Sequence, residues 1–231
     1  MHFSCKAPFF EILMSKVVSN LESSVSKAAH TYRTLEEYEY RYIVGRRKEA
    51  KEIRLRFDQS EFFHLCGLHK LNDIAQLDQK NRKSFFEKLQ RGVITDELCR
   101  KSKNYQEISD RILLVERLDQ FLDSNDFVFK YTKGTRGFEL TADYALQKGK
   151  DETEAYVFIE EGTMQRGKKR VKTGFFFCKS CFPRSKDPDG NLRQSKTAGC
   201  PEYKLLLKEK INLKTGEIQL LFRSPSYHEN P

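Results

Sequence analysis

Apolar residues recur along the chain at two different periods, and the period changes near residue 125. Phe10, Leu13, Met14, Val17, Val18, Leu21 and Val25 fall at three- and four-residue spacing, which predicts a helix over 7–30 with Pro8 near its start. Tyr38, Tyr40, Tyr42 and Val44 then alternate, Gly45 marks a turn, and Ile53, Leu55 and Phe57 alternate again. That pattern predicts a hairpin with a loose, charged connection over 46–50, and its outward Arg41, Arg54 and Arg56 predict a cationic face. Asp58 and Glu61 have capping-box spacing and open a helix expected to reach about Ile74. Helical patterns continue over 79–91, 95–102 and 105–123, the last with Leu114, Leu118, Phe121 and Leu122 on its core face.

Beyond Asn125 the period is two. Phe127 and Phe129 share a face, Gly134 and Gly137 punctuate, and Phe138, Leu140, Ala142 and Tyr144 alternate. Tyr156, Phe158 and Glu160 occupy one face of a further strand, and Val157 and Ile159 the other. Phe175–Phe177 begins another strand running to Phe182, residues 183–199 read as an exposed loop, and 203–213 with 217–223 form a last hairpin. Helices first and a strand meander after argue an α+β fold, with N-terminal helices packed on an antiparallel sheet. The expected organisation is an N-terminal helical extension, 1–37, and a domain, 38–231, with a helical half at 58–125 and a sheet half at 126–228.

Composition narrows the function. The chain has 231 residues and 18 Phe, enough to bury a sizeable core. No run approaches the ~18 apolar residues of a membrane span, and the first fifteen residues lack a secretory cleavage site, so a soluble cytoplasmic protein with no membrane partner is expected. The net charge is +9 and uneven: Thr163 to Lys214 holds fourteen Lys or Arg against four Asp or Glu. A local excess of that size favours a polyanionic partner. The six cysteines are scattered and do not form a secreted disulfide framework. Cys178-x-x-Cys181 with Cys200 has the spacing of half a zinc knuckle, with no fourth ligand nearby other than a returning His228. Plain packing of these thiols is the competing reading.

The densest chemistry lies at Asp58–Ile74, which carries His64, His69 and Lys70 around Gly67. On a continuous helix the two histidines stand about 140° apart, so at most one acts directly, and no metal-binding i,i+4 pair forms. A satisfied core histidine competes with a proton-transfer role for each. Gly67 reads as a device for close backbone packing. Dinucleotide, Walker and nucleophile-elbow fingerprints are absent. Arg136, Thr141, Tyr144, Arg223, Ser224, Ser226 and Tyr227 supply cations, hydroxyls and rings to the sheet, which suit a phosphodiester and stacked bases. Metal-free RNA cleavage needs only a base, an acid and a cation.

The run F-F-H-L-C-G-L-H-K-L-N-D-I resembles the signature of the phage-type barnase, EndoU, colicin and RelE-like (BECR) nuclease family 4. F-E-L-T-A-D-Y at 138–144, F-F-F at 175–177, and K-L-L-L-K-E-K-I ahead of T-G-E at 204–217 follow in the family's order, and the resemblance covers about 38–228. It implies a BECR-like α+β fold and a metal-independent endoribonuclease of a phage or mobile element, a toxin or conflict effector. His64, His69 and Lys70 match the signature. Arg223 and Ser224 lie on the last strand, where such folds place phosphate-contacting groups. RNA is the expected substrate or ligand, a protein inhibitor the expected partner of such a toxin, and no cofactor is called for. A non-catalytic nucleic-acid-binding module and a structural or partner-binding protein of a mobile element are the competing readings.

Overall fold

The computed structural model describes residues 23–228 apart from 48, 78–80, 132–139, 150–153, 168 and 187–188. Helix α1 (Ser24–Leu35) is the part of the first expected helix inside that range, and 7–22 lie outside it. Val25, Ala28, Ala29, Tyr32 and Leu35 form its buried stripe. Its leading N–H groups, on Ser24 and Val25, donate to the Asp96 carboxylate at 2.7 and 3.1 Å. A side chain some seventy residues away therefore satisfies donors that the helix leaves open.

The remaining helices are shorter than their periodicity suggests. They are α2 (Gln59–Leu65), a 3₁₀ turn at Leu68–Lys70, α3 (Arg82–Gln90), α4 (Asp96–Cys99), a 3₁₀ turn at Tyr105–Glu107, α5 (Ser109–Glu116) and α6 (Leu118–Ser124). The helix expected over 105–123 is in three pieces, because Ile108 (φ −121°) and Arg117 (φ −117°) leave helical geometry. The expected capping box is half formed. Asp58 accepts the Ser60 N–H at 2.9 Å, whereas the Glu61 carboxylate lies 3.9 Å from Lys179 Nζ.

The described residues form eight strands: β1 (Tyr38–Arg46), β2 (Glu49–Arg56), β3 (Phe127–Lys130), β4 (Tyr144–Lys148), β5 (Ala155–Arg166), β6 (Lys169–Pro183), β7 (Glu202–Asn212) and β8 (Ile218–Arg223). Gly45, expected at the turn, sits inside β1, where the Leu206 side chain passes 2.9 Å from the position a Cβ would take. Leu140 and Ala142, expected in a strand with Tyr144, precede β4.

The mixed α/β content is as expected, but the open antiparallel sheet is not. The order β1-β2-β6-β5-β4-β3-β7 returns to β1 through a β1–β7 pairing, so seven strands close into a barrel and β8 extends from β7. The β2–β6 pair is parallel, made where Arg54, Leu55 and Arg56 meet Phe175, Phe176 and Phe177. The chain leaves β2 through the helices and comes back to that edge, as a parallel pairing requires. Closure is thin on one side, where β3 meets β7 only at Val128↔Tyr203 and Phe129↔Glu202.

The helices and one strand face share a single core. Tyr32, Phe62, Phe86, Leu118 and Leu122 join Tyr40, Tyr42, Ile53, Leu55, Val157, Ile159 and Phe176 in it. Tyr156 and Phe158 point the other way, into a smaller cluster with Phe129, Tyr131 and Ala145. The cationic face expected on β1 and β2 is neutralised within the fold. Arg54 and Arg56 bond the buried Glu39 at 2.7 and 2.6 Å, and Arg41 bridges Glu52 and Glu209 at 2.6 and 3.0 Å.

Asp96→Ala opens both α1 donors while leaving α4 in place. We expect a loss of about 1–3 kcal/mol in urea unfolding, and an unchanged midpoint would show that water satisfies those donors equally well.

Candidate functional site

The two histidines of the signature meet because the helix between them breaks. α2 ends at Leu65, Gly67 adopts left-handed backbone (φ 76°), and the Leu68–Lys70 turn reverses the chain. The rings of His64 and His69 come to 5.0 Å between centroids. The separation expected from one continuous helix is therefore overturned. Phe63 flanks both rings, edge-on to His64 at 5.8 Å and tilted to His69 at 6.4 Å.

Gly67 is required twice over. Its conformation is costly for any residue with a Cβ. A Cβ there would also lie 2.8 Å from Arg111 Nη1 and 2.9 Å from Ile108 Cγ2. The reading of Gly67 as a packing device holds, and the reversal of the chain is its second role.

Both histidines line a cleft of about 590 Å³ with Glu61, Arg111, Leu140, Thr141, Glu160, Lys179, Ser180 and Phe182. Arg111, Lys179 and Thr141 are each held in place by identifiable contacts. Arg111 on α5 is buried, and its Nη2 donates to His64 O and Leu65 O at 3.0 Å each and to Ser180 Oγ at 2.8 Å. Its guanidinium also lies 4.7 Å from the Phe182 ring centroid. Lys179 on β6 stands 3.4 Å from Glu160 and 3.9 Å from Glu61. Thr141 reaches the cleft because Asp143 anchors its segment: the Asp143 N–H donates to Ile159 O at 2.8 Å, and its carboxylate accepts the Glu161 N–H at 2.9 Å.

Burial and nearby cations disfavour the protonated form of both imidazoles. Partial burial, then Arg82, Lys179 and Arg111, lower the pKa of His64 below its usual 6.5. Partial burial, then His64, Arg111, Lys70 and Arg82, lower that of His69. A neutral ring in this setting can accept a proton from a bound group, and a charge on one imidazole disfavours a second on its neighbour.

The other predicted residues lie elsewhere. Lys70 follows His69 but pairs with Glu107 at 2.8 Å instead of lining the cleft. Tyr144 is buried on β4 under Lys130, whose Nζ is 4.6 Å from the ring centroid, so it offers no open stacking face. Arg223, Ser224 and Tyr227 gather past the end of β8: Ser224 is buried, its N–H bonds Leu206 O, and Arg223 lies over Tyr227. None of the three lines the cleft. Arg136 lies outside the described residues.

The zinc alternative at Cys178, Cys181 and Cys200 is not assembled. Cys178 and Cys181 are buried thiols of the main core, burial raising that of Cys181 to about 12, and Cys200 packs on the smaller cluster. Among the described residues no three His, Cys, Asp or Glu side chains converge as metal ligands.

Against known families, the profile of the phage-Barnase-EndoU-ColicinE5/D-RelE like nuclease 4 family matches residues 24–223. The chain belongs to this family. The match takes in α1 and every strand, and so begins ahead of Tyr38, where the resemblance in the sequence sets in. No curated protein and no solved structure gives a match. No helix among the described residues is long and apolar enough to cross a membrane.

Arg111, Lys179, Glu61, Glu160 and Ser180 are the cleft residues of this nuclease-family domain that sequence reasoning missed. Arg111 carried a readable signal. Ile108, Arg111, Ile112 and Val115 lie at i, i+3, i+4 and i+7, so an arginine occupies a core stripe. Lys179 and Glu160 carried none, because charged residues on a half-exposed strand are ordinary.

Gly67→Ala tests the turn against Gly92→Ala. Gly92 shares the left-handed backbone (φ 67°) but has open space around it. Both variants should lose about 1–2 kcal/mol from backbone conformation, and Gly67→Ala about 1–3 kcal/mol more from overpacking. Equal losses in urea unfolding would show that Arg111 and Ile108 give way freely.

Proposed function

We propose that this domain is an endoribonuclease that cleaves by transesterification, with His64 and His69 exchanging the roles of base and acid. One neutral ring takes the proton of a ribose 2′-hydroxyl, and the freed oxygen attacks the adjacent phosphorus. The bond from phosphorus to the 5′-oxygen breaks, and that oxygen takes a proton from the other ring, which enters the reaction as the imidazolium. The products are a 2′,3′-cyclic phosphate and a 5′-hydroxyl. Lys179 faces the charge that builds on the non-bridging oxygens, Arg111 adds its field from below, and Thr141 and Ser180 offer hydroxyls for orientation.

The observation that carries this reading is the 5.0 Å approach of two imidazoles in a cleft that also holds a lysine and an arginine. Family membership supports nuclease chemistry as the class of reaction. The choice of RNA over DNA rests on the pair itself, since acid–base catalysis of this kind needs an internal nucleophile, which only ribose has. These steps use protein groups alone, so cleavage is expected to persist in EDTA. A role as a phage or mobile-element toxin goes with the reading. Expression should then arrest growth, and His64→Ala or His69→Ala should relieve the arrest.

Each of His64→Ala and His69→Ala should lower kcat/KM on RNA by about 10²–10⁴-fold, read by gel with EDTA present. Undiminished cleavage in both would overturn the assignment. The productive form has one ring charged and one neutral. Because both pKa values lie below 6.5, kcat/KM should follow a bell whose maximum also lies below 6.5. It should fall on the acid side as the base is protonated and on the alkaline side as the acid loses its proton. A plateau rising through pH 8 would place a different group in the acid's role.

A further inference from the structure

β5 and β6 run on past the barrel. The last β4 partner of β5 is Ile159, and the parallel β2 partner of β6 begins at Phe175. Between those points the two strands pair only with each other: Thr163↔Lys172, Met164↔Val171, Gln165↔Arg170 and Arg166↔Lys169. Four pairs make a free ribbon about 13 Å long. Two glycines shape its root. Phe177 comes within 2.7 Å of where a Gly162 Cβ would be, and Gly174 takes φ 78°.

The ribbon's charge is one-sided. Thr163 to Thr173 contains Arg166, Lys168, Lys169, Arg170 and Lys172 and no carboxylate. Lys172 is neutralised by Glu161 at 2.7 Å. Arg166, Lys169 and Arg170 have no carboxylate partner among the described residues, whereas Arg41, Arg54 and Arg56 of β1 and β2 do.

The ribbon also adjoins the histidine cleft. Thr163 and Arg170 line a second depression of about 490 Å³, and Glu61, Glu160 and Lys179 line both. Asp58, Glu61, Glu160 and Glu161 also line that depression and disfavour a phosphate chain within it. The favourable path therefore runs to the tip, where Arg166 and Lys169 stand opposite one another.

Resting on the ribonuclease reading, we propose that this basic ribbon grips the phosphates of a base-paired RNA segment flanking the cleavage point. Charge complementarity selects nucleic acid. The ribbon has no Phe, Tyr, Trp or His between Thr163 and Thr173, so it lacks the stacking platforms by which single strands are held. A cationic ribbon without rings suits the backbone of a helix, which proteins recognise by shape and phosphate contact.

The test compares wild type with Arg166→Gln/Lys169→Gln. Binding is measured by anisotropy on a stem-loop RNA made uncleavable by 2′-deoxy sugars in its loop, and on an unstructured RNA of equal length, across about 50–200 mM salt. We expect the slope of log K against log salt on the stem-loop to fall by about 1.4–1.8, the release belonging to two phosphates. Affinity should drop more for the stem-loop than for the single strand, while cleavage of a ribodinucleotide should be unchanged. An unchanged slope, or equal loss on both RNAs, would overturn the proposal, as would slowed dinucleotide cleavage. A ribbon-dependent slope in a protein that cleaves no RNA would uphold the ribbon and remove the nuclease reading.

Discussion

The arrangement depends on one buried guanidinium. Arg111 Nη2 bonds the last carbonyls of α2 and the Ser180 hydroxyl of β6, which ties α5, α2 and the barrel wall at one point. A charge buried without a carboxylate is costly, and Arg111 has none among the described residues. Its compensation is the negative end of α2, where unpaired carbonyls concentrate. Hydrogen bonds to charged groups contribute about 1.5–3 kcal/mol each, so this joint offsets much of its own desolvation. Arg111 Nε still lacks a partner, which leaves the guanidinium incompletely neutralised beside the cleft.

That residual charge links stability to chemistry. Arg111 holds the end of α2 while Gly67 turns the chain, so the same contact that ends the helix also sets the approach of His64 to His69. Its field then acts on both rings and helps to keep them neutral. A cation placed to hold a helix terminus thus disfavours the protonated state of the groups it positions, and the same field favours a bound anion. Electrostatic preorganisation has this character: groups fixed by folding are already oriented when charge develops.

What could be read from the sequence follows from what local pattern encodes. Alternation assigned the faces of β1, β2 and β5 correctly, because a strand's period depends only on which side is buried. It could not name neighbours, so the parallel β2–β6 pairing and the barrel closure stayed hidden. Three- and four-residue spacing located the helices but carried straight through Gly67 and Arg117, since apolar spacing survives a break when both pieces face one core. The histidines were found and their geometry was misjudged for that reason. A glycine between two histidines was the available clue, and its cost within a helix argued for a break as much as for packing. The family resemblance put Arg223 and Ser224 on the last strand, whereas β8 pairs with β7 and neither residue lines the histidine cleft.

The distribution of charge gives the barrel a direction. On β1, β2 and β7, Arg41, Arg54, Arg56 and Lys210 are held within 4 Å of Glu39, Glu52, Glu209 and Asp123. Paired in this way, they project little field beyond a Debye length of about 8 Å. On β5 and β6, by contrast, Arg166, Lys169 and Arg170 have no carboxylate partner among the described residues. These two strands are at once staves of the barrel, walls of the histidine cleft and the free ribbon beyond it. Because each is one continuous element, the spacing between Lys179 in the cleft and Arg170 and Lys169 on the ribbon is set by strand geometry. On the proposed reading, a polyanion drawn to the ribbon is therefore registered against the cleft by β6, and the scissile bond is positioned without a separate docking element.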